Sequence, residues 1–352
     1  MGVSPMCAGP EGPADTPVGR VFQSRLHSVL CALRVSTCVT VAALVVLTAA
    51  SAFAQPAVSL QYRWKQGESI VYQTTLKTDS TASGVPGAGD VTFGQTMKQR
   101  ITLLVAAVAP DGTATLHQTV EAVSVEMTTP VGTIAYDSAN PATADKDDGS
   151  RALAKVFGGM VGTTISVTMA RDGTIQRIDG ADKALARILQ DLPHDRAGAQ
   201  MMQSLKSVLS EDSLRASISQ SFPRLPTHDV KAGDTWTAEV PLGNDAAGRI
   251  SGTQTMTLKM FDGADEVATA TIAVSLVLKQ ESAPPLGPSG AIVKLGASKG
   301  EGEILFEITH GRIVTATMKT EIPSTMTTTA PDGRPVTMKS LARSSMTMEV
   351  VR

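Results

Sequence analysis

Two long β-prone runs meet at Asp111-Gly112 within Thr96–Met127, TMKQRITLLVAAVAPDGTATLHQTVEAVSVEM. An Asp-Gly pair between β-branched runs is a strong hairpin signal, because the glycine accepts the positive φ that a tight turn demands. In the first arm Met97, Ile101, Leu103, Val105 and Ala107 share one face by period-two alternation, and Lys98, Arg100 and Thr102 share the other. In the second arm the apolar positions change parity, from Leu116, Val120 and Ala122 to Val123, Val125 and Met127, which predicts a β-bulge near Ala122. The pattern returns at Thr253–Gln280 around Asp262-Gly263. A chain with two such hairpins has to build an antiparallel sheet.

The remaining sequence extends this pattern. Val58–Lys65 and Ser69–Asp79 read as short strands about the turn Gln66-Gly67-Glu68, and the Gly-rich Ser83–Asp90 reads as a loop. Pro130–Tyr136 reads as a short strand, Asp137–Ser150 as a polar loop with a helix cap, and Met160–Ile178 as a hairpin turning at Arg171-Asp172-Gly173. From Ala181 to Phe222 the period becomes helical, with stripes at Leu185, Ile188 and Leu189, at Met201, Met202, Leu205, Val208 and Leu209, and at Leu214, Ile218 and Phe222. Strands then resume. Lys231-Ala232-Gly233-Asp234 echoes Lys65-Gln66-Gly67-Glu68, a hairpin turns at His310-Gly311, and Asp332-Gly333 leads into the last strand. The predicted class is α+β: a large, strongly curved antiparallel sheet, an open half-barrel of roughly 10 to 13 strands, with a central helical insert packed on its concave face.

Arg20, Arg25 and Arg34 precede the uncharged apolar run Val35–Ala50, and Ala52-Phe53-Ala54 follows as a small-x-small cleavage pattern. These features predict a removable leader over 1–54 and one exported domain over 55–352, periplasmic or extracellular. The domain divides into strand sets 58–178 and 230–350 around helices 181–222. The apolar run is shorter than the roughly 20 residues of a membrane helix, so no stable span is expected after cleavage. Cys7, Cys31 and Cys38 all precede the cut, leaving no disulfide and no thiolate metal site. A net charge of −2 supplies no basic footprint for nucleic acid.

No site for chemistry is expected. The glycines of Ser83–Asp90 precede no helix, which a dinucleotide fingerprint requires. Asp145, Asp147 and Asp148 lack the closing bidentate acid of a calcium loop. His117, His194, His228 and His310 show no H-E-x-x-H spacing, and the exposed elbow G-x-S-x-G is expected to be absent. Aromatics at 3% leave few stacking surfaces for a carbohydrate. Catalytic residues, metal ligands and cofactors are therefore all expected to be none.

Leu60-Gln61-Tyr62-Arg63-Trp64-Lys65-Gln66-Gly67-Glu68, together with Gly233-Asp234-Thr235-Trp236 after Leu225-Pro226, resembles a family of uncharacterised exported bacterial proteins that open with an L-x-[FW]-K-x-G-E strand and turn. That family carries no activity to transfer. More loosely, the order of strands, helices and strands is similar to the half-barrel of periplasmic lipoprotein carriers (LolA-like). That resemblance implies an apolar cavity between sheet and helices, lined by Leu103, Val105, Ile165, Val167, Met201, Leu205, Ile272, Val274, Leu276, Ile304, Phe306 and Met318. The leading expectation is a non-enzymatic binding protein for a lipid, lipoprotein or other apolar ligand of the bacterial envelope. The alternatives are an envelope protein that acts through a protein partner, its concave face filled by the helical stripes, and an enzyme of unrecognised class.

Overall fold

The computed structural model describes residues 57–84, 89–189, 202–203, 205–206, 209–241, 248–263, 267–283, 285, 291–329 and 334–351. Thirteen strands form one antiparallel sheet: β1 (Ser69–Ser83), β2 (Val91–Val108), β3 (Ala114–Thr129), β4 (Gly132–Asp137), β5 (Thr164–Met169), β6 (Ile175–Asp179), β7 (Thr235–Pro241), β8 (Ile250–Asp262), β9 (Thr269–Gln280), β10 (Ile292–Leu295), β11 (Ser298–Glu307), β12 (Arg312–Thr329) and β13 (Pro335–Val350). Three helices are described from end to end, α1 (Asp148–Met160), α2 (Ala181–Leu189) and α3 (Glu211–Ser221). The sheet is open, as the alternation predicts.

Its order is β6-β5-β3-β2-β1-β13-β12-β11-β9-β8-β7, with β4 added to β3 and β10 to β12. Along this path chain neighbours are sheet neighbours, apart from the skipped β4 and β10 and the seam where the first strand meets the last. The two free edges, β6 and β7, flank the helical segment in sequence. Helix α3 packs against both of them, and Arg215 donates to the edge carbonyl of Ile175. A bare edge is a template for aggregation, and a covered one is not.

The strand pairing sorts charge by face. Along β1 the even positions Ile70 to Ala82 oppose the odd positions Leu103 to Val91 of β2 and the even positions Val350 to Ser340 of β13, and these in turn oppose Ala316 to Ser324 of β12. No residue of this inner face is charged. The outer face of the same strands carries Lys77, Asp79, Lys98, Arg100, Lys319, Glu321 and Arg343. Asp79, Arg343, Glu321 and Lys299 lie opposite one another on successive strands, a ladder of alternating sign that fixes register.

One end of the half-barrel is shut by the segment before β1. Val58–Lys65, expected as a strand, forms only the bridge Val58↔Val230 and then crosses the sheet's end. Tyr62 N–H donates to Arg171 O at 2.8 Å, and Arg63 N–H to Gly311 O at 3.0 Å. Tyr62 stacks on Trp64 at 5.6 Å and meets Phe222 and Phe306 edge-on at 6.2 and 5.7 Å. A sequence poor in aromatics thus gathers several of them at this closed end. The crossing explains Gly311: a Cβ there would lie 2.4 Å from Arg63 N and 2.5 Å from Gln61 O.

The echoed turns share a structure. Gly67 N–H donates to Val105 O, Val105 N–H to Glu68 O, and Glu68 N–H to Lys65 O. In the second half Gly233, Leu258, Asp234 and Lys231 make the same three bonds. Register slips immediately after both Val105 and Leu258. The bulge expected near Ala122 is also present, as a slip between Arg100 and Ile101 that carries pairing from Ala122 to Val120. Glu121, the extra residue, accepts hydrogen bonds from Arg100 at 3.1 Å and from the Thr102 hydroxyl.

Two elements depart from expectation. Residues expected as polar loop contain a 3-10 turn, Pro141–Lys146, and the start of α1, whose N-cap Asp147 accepts from Ser150 N–H at 2.7 Å. Gly158 and Gly159 obscure this helix in the sequence. Both are places of close approach: a Cβ on Gly159 would stand 3.0 Å from Ile188 Cα of α2, and one on Gly158 would stand 2.9 Å from the Tyr136 hydroxyl. Strand β10 is not expected from the pattern, and β11 runs from Ser298 to the hairpin turn at His310-Gly311. The expected Asp332-Gly333 turn and positions 85–88 of the Gly-rich loop lie outside the described residues.

Candidate ligand-binding site on the inner face

Midway along the half-barrel, beyond the aromatic closure, two cavities adjoin beneath α3. The first, of about 160 Å³, lies between Tyr72, Thr74, Leu76, Met97, Gln99, Ile101, Leu103, Gln118, Met346 and Met348 of the sheet and Ser217, Ile218, Ser221 and Phe222 at α3. The second, of about 200 Å³, is lined by Leu76, Thr78, Gln220, Gln254, Leu276, Met318, Thr320, Ser344 and Met346. Leu76 and Met346 belong to both.

Strand register brings the lining of the second cavity together. One row across the inner face runs Thr78, Ser344, Thr320, Gly300, Leu276, Gln254. The next runs Leu76, Met346, Met318, Gly302, Val274, Met256. The central glycines are places of close approach, where a Cβ would meet Thr320 and Leu276 at Gly300 and the Thr317 carbonyl at Gly302, so the space lies beside their row neighbours. Methionines, which adapt to an irregular occupant, surround it.

Among the described residues no acid, histidine, lysine or arginine lines either cavity. Burial pushes the Tyr72 phenol far above its usual range, and its hydroxyl donates to Ile313 O at 3.2 Å. The hydroxyls of Thr78 and Ser344 pair at 2.9 Å. A larger space of about 350 Å³ lies on the outer face, among the ladder charges Lys77, Asp79, Lys299, Glu301, Lys319, Glu321 and Arg343. Four of those charges pair on the surface, Lys77 with Asp79 at 3.4 Å and Arg343 with Glu321 at 3.2 Å.

Of the residues expected to line a cavity, Leu103 faces the first, and Leu276 and Met318 face the second. Val105, Val167, Ile272, Val274, Ile304 and Phe306 are buried in the main core, and Ile165 packs against it half-buried. Leu205 is half-buried and helical, and Met201 lies outside the described residues. Alternation alone missed Thr78, Gln254, Thr320 and Ser344, because polar residues on an inner face score against a core. The cross-strand register is what joins them.

The other candidates for chemistry have structural roles. Gly296-Ala297-Ser298-Lys299-Gly300 does match the letters G-x-S-x-G, contrary to the expectation that no such elbow is present. Ser298 is nevertheless buried at the start of a sheet strand, where its hydroxyl donates to Gly296 O at 3.1 Å, and no strand-to-helix turn exposes it. His117 lies on β3, paired with Leu104 and Ser166, and His228 is exposed ahead of β7. His194 lies outside the described residues.

His310 contacts the buried Glu307, to which Arg312 Nε also donates at 2.9 Å, and Arg312 reaches Glu68 at 3.5 Å. Desolvation raises the Glu307 carboxyl, but the hydrogen bonds and charge of His310 and Arg312 outweigh it and hold the group below the usual carboxylate range. A depressed folded-state value means stability that is present above the unfolded value of about 4.3 and lost as pH falls through the folded one. Urea denaturation between about pH 5 and pH 3 is expected to show that loss, with a shallower slope in Glu307→Gln. Equal slopes would remove Glu307 from the account.

Among solved structures, a lipovitellin chain described for its lipid–protein interactions is 8% identical, covers 82% of this chain and 26% of its own, and superposes with a TM-score of 0.42. This chain thus spans about a quarter of that one. An outer membrane channel from Pseudomonas putida F1 is 10% identical over 82% of this chain and 97% of its own, with a TM-score of 0.21. DynF from the dynemicin biosynthesis pathway of Micromonospora chersina is 10% identical over 84% and 85%, at 0.17. Scores this low carry no argument about what this chain does. No curated protein sequence matches it. Among the described residues no helix is long and apolar enough to cross a membrane. The model of one family matches residues 111–330, and the chain belongs to it: the family of unknown function DUF6263.

Proposed function

We propose that this chain is an exported, non-enzymatic binding protein that holds an apolar or amphipathic ligand between the inner sheet face and α3. The observation that carries this reading is the pair of adjoining cavities, roofed by one helix and lined by no charged side chain among the described residues. Together the cavities reach the lower end of the roughly 300–1,000 Å³ range of small-molecule sites. The lining offers no acid, histidine or lysine for proton transfer, which favours binding over catalysis.

The test is to purify residues 55–352 without detergent, extract with organic solvent and analyse the extract by mass spectrometry. A stoichiometric lipid-like species is expected, and the extracted protein is expected to take up an uncharged solvatochromic dye. An empty extract with no dye uptake would sink the reading.

A further inference from the structure

Two buried polar side-chain atoms have no hydrogen-bond partner among the described residues, Trp64 Nε1 and Gln254 Oε1. Trp64 stacks in the aromatic closure, against Tyr62 and Phe222. Gln254 differs in one respect: it is only 2% exposed and it lines the second cavity. An orphaned buried acceptor costs free energy in the unliganded protein, and a donor on a ligand is what would recover it. The same cavity wall carries the hydroxyls of Thr78, Thr320 and Ser344. The adjoining cavity is walled by Leu76, Ile101, Leu103, Met348 and Phe222 together with Thr74, Gln99, Gln118, Ser217 and Ser221. Both linings mix hydrocarbon with uncharged polar groups, so it is the orphaned Gln254 Oε1 that marks the second cavity as the place for a polar head.

The absence of charge narrows the ligand further. A carboxylate or phosphate brought into this lining would lose its water and gain no cation. The segregation of charge persists toward the open end, at Ser80, Ala342 and Ser324, where solvent would tolerate an ion.

Resting on the reading above, we infer that the ligand is an uncharged amphiphile with a hydroxyl or amide donor. Its head bonds Gln254 Oε1 and its hydrocarbon chain lies beside Leu76 and Phe222. Fatty-acid anions and phospholipid head groups are excluded from the pair of cavities.

Titration calorimetry on the delipidated 55–352 protein at about pH 8, where a carboxylate is ionised, separates the cases with three probes of one chain length. These are 1-monododecanoylglycerol, methyl dodecanoate and dodecanoate. The glyceride is expected to bind about tenfold more tightly than the methyl ester, which has no donor, and the anion more weakly than either. In Gln254→Leu the glyceride should fall about tenfold, to the level of the ester, while the ester is unchanged. The urea midpoint of the unliganded variant should rise, because replacing an orphaned glutamine removes a buried unpaired acceptor, whereas replacing a structural one would lower it. Equal binding of ester and glyceride, or preference for the anion, overturns this inference and leaves the binding function standing. Failure of all three probes overturns both. Unchanged glyceride affinity in Gln254→Leu overturns the assignment of the head to this residue.

Discussion

Tyr62→Ala is expected to lower unfolding stability by about 4–6 kcal/mol, of which 3–5 is the usual cost of truncating a buried aromatic and about 1 is the lost hydroxyl bond. Tyr62 is 1% exposed, contacts three other rings, and donates its hydroxyl to Pro223 O at 3.1 Å. It sits on a segment outside the sheet, yet that segment touches the β5–β6 turn through Arg171, the β11–β12 turn through Gly311 and the end of α3 through Pro223. The sheet itself is open, so these ties hold its two arms at one end. Domains are stable by about 5–15 kcal/mol, so the variant would lose roughly a quarter or more of the total. Tyr62→Phe separates the terms: it keeps the ring and should cost about 1 kcal/mol. Urea denaturation reads both. A loss under about 1 kcal/mol for Tyr62→Ala would mean that the aromatic closure is dispensable.

The prominence of Tyr62 was not legible in the sequence, and its physical reason explains what was. Period-two alternation reports which side of a strand is buried, and it located the hairpins of β2–β3, β5–β6, β8–β9 and β11–β12. It even located the bulge at Glu121, because an inserted residue inverts parity. Val58–Lys65 alternates just as well, Leu60, Tyr62 and Trp64 against Gln61 and Arg63, and is buried on that side. Alternation carries no information about partners. The segment pairs with turns rather than with strands, and only the three-dimensional course shows it. Helix α1 was hidden for the opposite reason: Gly158 and Gly159 weaken a helical pattern locally, and tertiary approach of Tyr136 and α2 requires them. The site lay between these extremes. Leu103, Leu276 and Met318 followed from facing inward, whereas Gln254, Thr78 and Ser344 join them only through a register running across five strand pairings.

Leu76→Trp is the variant expected to abolish ligand uptake with the least damage to the fold. Leu76 is half-buried, and it lines both cavities. An indole there would project into spaces of about 160 and 200 Å³ and occupy the volume a chain would need. Val274, by contrast, sits 5% exposed in the main core, where a tryptophan would test packing and not the site. Overpacking costs typically about 1–3 kcal/mol, tolerable for a domain of ordinary stability. Dye and glyceride affinities should fall at least about tenfold, equivalent to some 1.4 kcal/mol. Thr75→Trp, one residue along the same strand and on the outer face, controls for the added ring and should bind as the parent does. If Leu76→Trp fails to fold, Met346→Phe offers a smaller obstruction at the other shared residue, with a proportionate loss expected. Uptake undiminished in both, with both folded, would place the ligand elsewhere and return the inner face to the status of a loosely packed core.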